Sequence, residues 1–246
     1  MEAVHRGANG AKNSLPWNPA CEDSWQLGPW RSFAVAHPSE PNYLALFSGS
    51  THGLTSNICP LNLSGPNLAR ALIESGRTFV GYSEGLPSRG FEGCTAASGY
   101  ARKHAPWVNY SELPVSTNEP FAAFPIRDFD RLPTVAFVVP NLMNDMHDGT
   151  IAAGDAWLQR NIDSYVHWAK THNALLILTW DEDDGKRDNR IATIMYGPMV
   201  KAGAYTQRID HYDVLRTIED LYSLPPSGKA ADAVAIGNAW RVNPGN

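Results

Sequence analysis

The stretch from Thr134 to Gly149, "TVAFVVPNLMNDMHDG", decides the fold class, because an apolar run gives way within it to a polar cluster. Residues 134–140 form a near-continuous, β-rich run, which is typical of a strand covered on both faces of its sheet. The cluster that follows combines amide, carboxylate and imidazole groups: Asn144, Asp145, His147 and Asp148. Such a strand belongs inside a layered sheet, and in such sheets the chemistry gathers at the carboxyl ends of the strands.

Three further apolar runs and three helical patterns surround this stretch. The other predicted strands are "TFVGYS" (78–83), "ALLILTW" (174–180) and "IATIMYG" (191–197). Helical patterns cover 66–76, 150–172 and the segment that begins at Asp210, a predicted N-cap. The alternation predicts an α/β fold with a mostly parallel central sheet flanked by helices on both faces.

Composition and charge narrow the possible partners. The chain has 246 residues and a formal net charge of −5, with no basic tract, so neither nucleic acid nor an anionic membrane surface is expected as a partner. No segment has the roughly 20 apolar residues that span a bilayer, and no signal peptide is visible near Met1. We expect a monomer with one domain over 31–246, preceded by a divergent or truncated segment over 1–30.

The three cysteines leave two interpretations open. Cys21, Cys59 and Cys94 form no CxxC pair, which argues against a structural zinc site. A disulfide between Cys59 and Cys94 is one hypothesis, for an exported protein in which Cys21 stays unpaired. Three reduced thiols in a cytosolic protein are the alternative.

A second polar cluster, "DEDDG", follows the predicted strand 174–180. An acidic run is commonly a solvated loop. Here it begins directly after a buried strand, so Asp181 and Glu182 are expected at the edge of the sheet, where carboxylates suit a divalent cation. His147, among its polar neighbours, is predicted either to act directly or to orient another group.

The segment "HPSEPNYLALFSGS" places Ser39 before a short apolar helix that Gly49 is expected to end. Ser39 is predicted as the N-cap, facing the free N–H groups and positive dipole end that favour phosphate. A serine there can be a simple cap, but His37 and Asn42 lie close in sequence. A metal held by Asp181 and Glu182 would activate its hydroxyl.

Five motifs in this order resemble the bacterial phosphoesterase family of acid phosphatases and phospholipases C. They are "HPSEPNYLALFSGSTHGLTSN", "YARKHAPWVNY", "NDMHDGTIAAGDAWL", "LTWDEDDG" and "DHYDVL", and the resemblance runs from about Ser32 to the C-terminus. It implies an alkaline-phosphatase-like three-layer sandwich, secretion, and hydrolysis of a small phosphate ester. The substrate could be a phosphoinositide or another phospholipid headgroup.

The resemblance also implies roles for individual residues. Ser39 matches the nucleophile, and Asn42 matches a residue that helps to hold the phosphate. The residues that match phosphate-site or leaving-group contacts are His37, His147 and His211. The expected metal-site residues are Asp181, Glu182, Ser39 and Asp145, for one divalent ion that could be Ca, Mg, Mn or Zn.

One region departs from the family pattern. Residues 1–30 contain neither the apolar strand nor the "EN" pair that supplies metal ligands in the family, so a missing central strand and weak or absent activity are expected. The predicted function is an acid phosphatase, with a phospholipase C or a non-catalytic phosphate-ester binder as alternatives. Lys103 and His104 are predicted either to line the phosphate pocket or to belong to a loop anchored by aromatic residues.

Overall fold

The computed structural model describes residues 2–6 and 31–241 of the chain. Its main element is a six-stranded sheet, with the strands side by side in this order: β4 (Asn118–Pro120), β3 (Phe79–Ser83), β5 (Val135–Val139), β1 (Glu2–Arg6), β6 (Ala174–Thr179) and β8 (Thr193–Tyr196). β3 pairs in parallel with β4 and with β5, whereas β1 is antiparallel to both of its neighbours and β8 is antiparallel to β6. The α/β class is therefore confirmed, with four of the six strands running in one direction.

The expectation that residues 1–30 hold no central strand is wrong. β1 lies between β5 and β6, and its Val4 is opposite Ala136 on one side and Leu176 on the other. A search for long apolar runs misses this strand because it has only five residues, which is enough to pair with two neighbouring strands of similar length. The rest of the 1–30 segment lies outside the described residues.

Helices cover both faces of the sheet. The four helices are α1 (Ser39–Ser48), α2 (Leu68–Glu74), α3 (Ile151–Ala169) and α4 (His211–Leu221). Side chains of β5 alternate between two apolar cores, as the two-residue period of a strand requires. Val135, Phe137 and Val139 join α1, α2 and α4 in one core, and Ala136 and Val138 join α3 in the other.

Capping side chains begin two of the helices, and the predicted N-cap of α4 is confirmed. The Thr150 side chain accepts a hydrogen bond from the N–H of Ala153 at the start of α3. Asp210 caps α4, where it forms a capping box with Asp213. The buried stripe of α3 includes Ile162, Tyr165 and other predicted positions. Such caps depend on residues within one turn, so the sequence alone determines them.

The prediction that Ser39 is an N-cap is wrong by one residue. The N-cap is Pro38, and Ser39 is the first residue of α1. The side chain of Asn57 supplies the missing cap, because its Oδ1 accepts a hydrogen bond from the N–H of Glu40 at 3.0 Å. Gly49 ends the helix as expected, at a φ of 68° that favours glycine. The Ser39 hydroxyl is thereby left for another partner.

A second sheet has three strands in the order β7 (Arg190–Ile191), β2 (Arg31–Phe33) and β9 (Arg208–Asp210). The predicted strand 191–197 is therefore not one strand: it is split at Ala192 between this sheet and β8 of the larger one. β2 and β9 run in parallel. The segments that follow them, with His37 and His211, consequently leave the sheet in the same direction.

A disulfide joins Cys59 and Cys94, whose Cα atoms lie 5.8 Å apart. This confirms the predicted pairing of Cys59 with Cys94, while Cys21 lies outside the described residues. Across the described parts of the chain, no helix combines the length and the apolar character that crossing a bilayer requires.

Candidate active site

The candidate site lies at the edge of the large sheet where β5 and β6 end. The polar segment 141–149 follows β5, and Asp181 to Asp184 follow β6 after Trp180. The start of α1 lies beside them, because Ser39 contacts Glu182 across 143 positions of sequence. The sequence therefore predicted correctly which segments meet here, and the contacts between them define the site.

Glu182 bridges Ser39 and His37. The Ser39 hydroxyl donates to Oε1 of Glu182 at 2.6 Å, and Nδ1 of His37 lies 2.5 Å from Oε2 of the same carboxylate. The other ring nitrogen of His37, Nε2, lies 3.2 Å from Oδ1 of Asp183. Ser39 is only 2% exposed, whereas the His37 side chain is 45% exposed. The imidazole is therefore partly open to solvent, whereas Ser39 is buried.

Asp183 is held as a carboxylate. Partial burial by itself raises its pKa, but hydrogen bonds from the N–H groups of Gly185 and Arg187 and the charge of His37 outweigh burial and lower the pKa overall. Asn189 fixes the same loop, since its Oδ1 accepts from the N–H of Asp183 and its Nδ2 donates to the carbonyl of Ala36. The loop after β6 is thereby tied to the loop that carries His37.

Asn42 is fully buried, and its side-chain amide is hydrogen-bonded to the backbone that precedes α1 and to that of Pro38. Its Oδ1 accepts from the N–H groups of Val35 and Ala36, and its Nδ2 donates to the carbonyls of Ala36 and Pro38. Asn42 therefore shapes the loop that carries His37. In this arrangement no part of its side chain is free for the phosphate contact that the resemblance implies.

Tyr43 marks the point where the predicted metal ligands converge. Burial, and then the negative charges of Asp181, Asp145 and Glu182, raise the pKa of the Tyr43 phenol well above its usual value. All three carboxylates therefore act on one phenol, which lies one turn along α1 from Ser39. No sequence pattern pointed to Tyr43, because its burial results from tertiary packing.

His104 stacks on Tyr43, with ring centroids 4.8 Å apart. Its Nδ1 lies 3.0 Å from Oδ2 of Asp145, within ion-pair distance but without hydrogen-bond geometry. The other oxygen of Asp145 accepts from the N–H of His147 at 2.9 Å. His104 is thus part of the site, which supports the pocket interpretation of the segment around it.

His211 is buried beneath the same edge. Its Nε2 lies 2.8 Å from the carbonyl oxygen of Asp181, so this nitrogen carries the hydrogen and donates it. Burial lowers the pKa of His211, which keeps the ring neutral. Its Nδ1 has no hydrogen-bond partner among the described residues. His211 therefore supports the backbone at Asp181 and leaves one buried lone pair unused.

The residues predicted to hold a metal fit that role only in part. In favour, three carboxylates approach Tyr43, and buried atoms of His104, His211 and Asp145 lack hydrogen-bond partners. Against it, residues 31–241 contain no group of three or more histidine, cysteine or acidic side chains placed to bind one ion. The described side chains thus supply negative charge that would attract a cation, but they do not form a complete set of ligands around one position.

Comparison with known proteins identifies the class to which this site belongs. The family model described as the Phosphoesterase family matches residues 30–225, and the chain is a member of that family. It is also 53% identical, over 212 residues, to the phosphatidylinositol-3-phosphatase of Mycobacterium tuberculosis, in an alignment that covers 85% of this chain and 71% of that protein.

Fungal relatives are more distant. The chain is 30% identical to an acid phosphatase of Aspergillus fumigatus over 218 residues, 80% of this chain and 48% of that protein. It is 28% identical to an acid phosphatase of Aspergillus niger over 220 residues, 80% of this chain and 52% of that protein. The chain thus spans about half the length of these fungal relatives, and the resemblance read from the motifs is confirmed at the level of the family.

Proposed function

We propose that this protein is a phosphoric monoester hydrolase of the acid phosphatase type, with Ser39 as the nucleophile. The observation that carries the proposal is the 2.6 Å hydrogen bond from the Ser39 hydroxyl to Glu182. A serine hydroxyl is a weak nucleophile until a neighbouring base takes its proton. A carboxylate in direct contact provides that base, and the first turn of α1 provides N–H groups and a dipole that favour a phosphoryl group.

The reaction would proceed in two displacements. Oγ of Ser39 attacks phosphorus in line with the ester oxygen, its proton passes to Oε1 of Glu182, and the P–O bond to the leaving group breaks. The leaving oxygen takes a proton from His37, whose two ring nitrogens both face carboxylate oxygens and so suit the doubly protonated imidazolium. Water then attacks the phosphoserine and gives a proton to the neutral His37. The P–O bond to Oγ breaks, inorganic phosphate leaves, and Oγ takes back the proton held by Glu182, which regenerates the hydroxyl.

Access to Ser39 requires a small displacement of its neighbours. Ser39 is 2% exposed and shares Glu182 with His37, so we expect the substrate to displace the imidazole as its phosphorus approaches Oγ. His37 is well suited to such a shift, since its side chain is 45% exposed. His37, the side chain that the substrate displaces, is then also the side chain next to the leaving oxygen.

A divalent cation is part of the proposal. Asp145, Asp181 and Glu182 would hold it, since their charges already converge on Tyr43. Bound there, it would offset the negative charge of the phosphate. Its identity among Ca, Mg, Mn and Zn is a matter for metal analysis, because carboxylate and imidazole ligands accept each of them.

The substrate class and location follow from the relatives and from the cysteines. A relative at 53% identity is named for phosphatidylinositol 3-phosphate, so a phosphoinositide is the physiological substrate that we propose. The Cys59–Cys94 disulfide supports an exported protein, because such bonds persist in oxidising compartments.

The test is hydrolysis of p-nitrophenyl phosphate from about pH 4 to about pH 9, with and without a chelator. Ser39→Ala should lower kcat by about 1000-fold or more, since loss of a nucleophile removes the covalent path. Ser48→Ala is the matched control, because Ser48 is buried at the other end of α1 and donates to the Leu44 carbonyl. It should stay within a few-fold of wild type.

Three outcomes separate the alternatives. Unchanged activity in Ser39→Ala would refute the assignment of the nucleophile. An inactive wild-type protein that still binds phosphate would indicate a non-catalytic phosphate-ester binder. Release of diacylglycerol from a phospholipid, in place of phosphate from a monoester, would indicate a phospholipase C.

A further inference from the structure

The segment Arg102–His104 forms a short 3-10 helix against the start of α1, and it carries three cationic or potentially cationic side chains. Two of them are packed within the fold. The Arg102 guanidinium donates to Asn109 Oδ1 and to three backbone carbonyls, those of Glu92, Leu61 and Val108. His104 is buried between Tyr43 and Asp145. Only the middle residue, Lys103, extends beyond this packing.

Lys103 is held in place by His147. Its Nζ lies 2.8 Å from Nε2 of His147, and since an ammonium group can only donate, that imidazole nitrogen is the acceptor. The hydrogen of the ring then sits on Nδ1, which donates to Oδ1 of Asp148 at 2.7 Å. This contact uses one of the three ammonium hydrogens, so two remain for a ligand.

The 141–149 loop that carries His147 is itself anchored. Glu84 accepts hydrogen bonds from the N–H of Asn141 and from Nδ2 of Asn144, at 2.9–3.1 Å. The position of Lys103 is thus fixed from both ends, by its own buried neighbours and by an acceptor on a second anchored loop. Such preorganisation lowers the entropy cost of binding an anion.

Lys103 also lies beside α1, because the ring of the next residue, His104, stacks on Tyr43 with centroids 4.8 Å apart. Burial raises the pKa of Glu40, the residue after Ser39, and the charges of Arg102 and Lys103 partly offset that rise. The opposing charges are numerous, since Asp145, Asp181 and Glu182 all act on Tyr43 nearby. A doubly charged phosphate monoester would be repelled by these carboxylates, and the ammonium group of Lys103 would reduce that repulsion in addition to the proposed divalent cation.

We propose that the ammonium group of Lys103 binds non-bridging oxygens of the substrate phosphate and thereby gives the site its preference for doubly charged monoesters over singly charged diesters. The proposal rests on the proposed phosphatase function. His147 is then a positioning residue, which holds Lys103 through Nε2 and does not itself contact the phosphate. The preference arises because a second negative charge on the substrate increases the attraction to the ammonium group.

The experiment compares two substrates that share a leaving group, p-nitrophenyl phosphate and bis(p-nitrophenyl) phosphate. Lys103→Met should lower kcat/KM for the monoester by about 10- to 100-fold, mainly through KM, because it removes a charge-assisted hydrogen bond. The diester, measured by turnover or as an inhibitor, should change by less than about 3-fold. Lys103→Arg should recover most of the loss, since a guanidinium also binds phosphate.

The matched control is Lys201→Met. Lys201 is exposed and follows β8 in the chain. β8 ends beside the start of β6, where Gly197 contacts Ala174, and this is the edge of the sheet opposite the candidate site. The same substitution there should leave both substrates unchanged. His147→Gln should raise KM for the monoester less than Lys103→Met does, because it removes the acceptor that orients the ammonium but not the charge.

A binding measurement separates failure of this proposal from failure of the proposed function. Titration of inorganic phosphate into Ser39→Ala and into the Ser39→Ala, Lys103→Met double variant should show about 10- to 100-fold weaker binding in the latter. This comparison applies even if the wild-type protein hydrolyses no ester. Equal phosphate affinity in the two proteins, or equal losses for monoester and diester in Lys103→Met, would overturn the proposal.

Discussion

Removing the Cys59–Cys94 disulfide should both destabilise the protein and slow its reaction. The two cysteines are separated by 35 residues. Closing a loop of that length restricts the unfolded chain by about 4 kcal/mol at 25 °C on the chain-entropy account. For a domain of this size, that loss corresponds to a fall in Tm of about 8 to 16 °C.

The effect on activity follows from what the bridge connects. On one side, Ile58, next to Cys59, donates its N–H to Oε2 of Glu40 at 2.6 Å. On the other, the carbonyl of Cys94 accepts from the N–H of Arg102 at 2.9 Å. Glu40 follows Ser39 directly, and Arg102 precedes Lys103. The disulfide therefore links the segment that supports the nucleophile to the segment that carries the proposed phosphate-binding cation.

The assay combines urea unfolding with p-nitrophenyl phosphate hydrolysis, on wild type and on the Cys59→Ser, Cys94→Ser double variant. At a temperature where the variant is folded, kcat/KM should still fall by about 5-fold or more, because both supporting segments lose a restraint. Cys21→Ser serves as a control for loss of a thiol alone. A double variant within about 1 kcal/mol of wild type, with equal kcat/KM, would refute the reasoning.

Two further predictions concern stability away from the site. Burial raises the pKa of Glu219 from 4.5 to about 7, so the folded state keeps a proton that the unfolded state loses in that interval. The stability contributed by that proton is fully present below about pH 4.5 and is lost as pH rises through about 7. In urea titrations, the difference in unfolding free energy between wild type and Glu219→Gln should therefore fall by about 3 kcal/mol between pH 4.5 and 8. A difference that stays constant with pH would contradict this. Gly81→Ala should cost about 1–3 kcal/mol or more in the same assay, because the added Cβ would lie 2.1 Å from the buried Trp107 ring. Gly237→Ala, where the nearest atom is 3.9 Å away, should cost less than about 0.5 kcal/mol, and equal losses in the two would argue against the steric cause.

The sequence predicted those elements whose determinants are local. The N-cap at Asp210 and the helix that became α3 are predicted correctly because each depends on residues within a few turns of one helix. The same holds for the buried strands that end at the site, since near-continuous apolar runs indicate strands buried on both faces. These features needed no knowledge of the rest of the chain.

The errors arose where distant segments decide the outcome. The start of α1 shifted by one residue because Asn57, from outside the helix, caps it through the N–H of Glu40. The predicted strand 191–197 divides because its two halves pair with different sheets. β1 was missed because its place depends on a gap between two other strands. None of these partners can be read from local periodicity.

The contacts that define the candidate site were also inaccessible from the sequence. Lys103 and His147 are 44 positions apart, and Ser39 and Glu182 are 143 apart. Sequence motifs identified Ser39, His37 and Glu182 as members of a site, but not that one carboxylate bridges the other two. The burial of Tyr43 among three acidic groups is likewise a result of packing.

The direction of β1 bears on how a metal could be held. In the family pattern the first strand ends at the site and delivers two ligands there. β1 is antiparallel to β5 and β6, and its register places Glu2 opposite Val138 and Leu178, near the ends of those strands at the site, and Arg6 opposite Ala174 at the other edge. The C-terminal end of β1 therefore lies at the edge of the sheet away from the end of β6. Ligands at that end of the strand would not reach Glu182, and within residues 31–241 we expect a chelator-sensitive activity to depend on Asp145, Asp181 and Glu182. If a chelator leaves the activity unchanged, the activation of the Ser39 hydroxyl would instead be assigned to Glu182 alone.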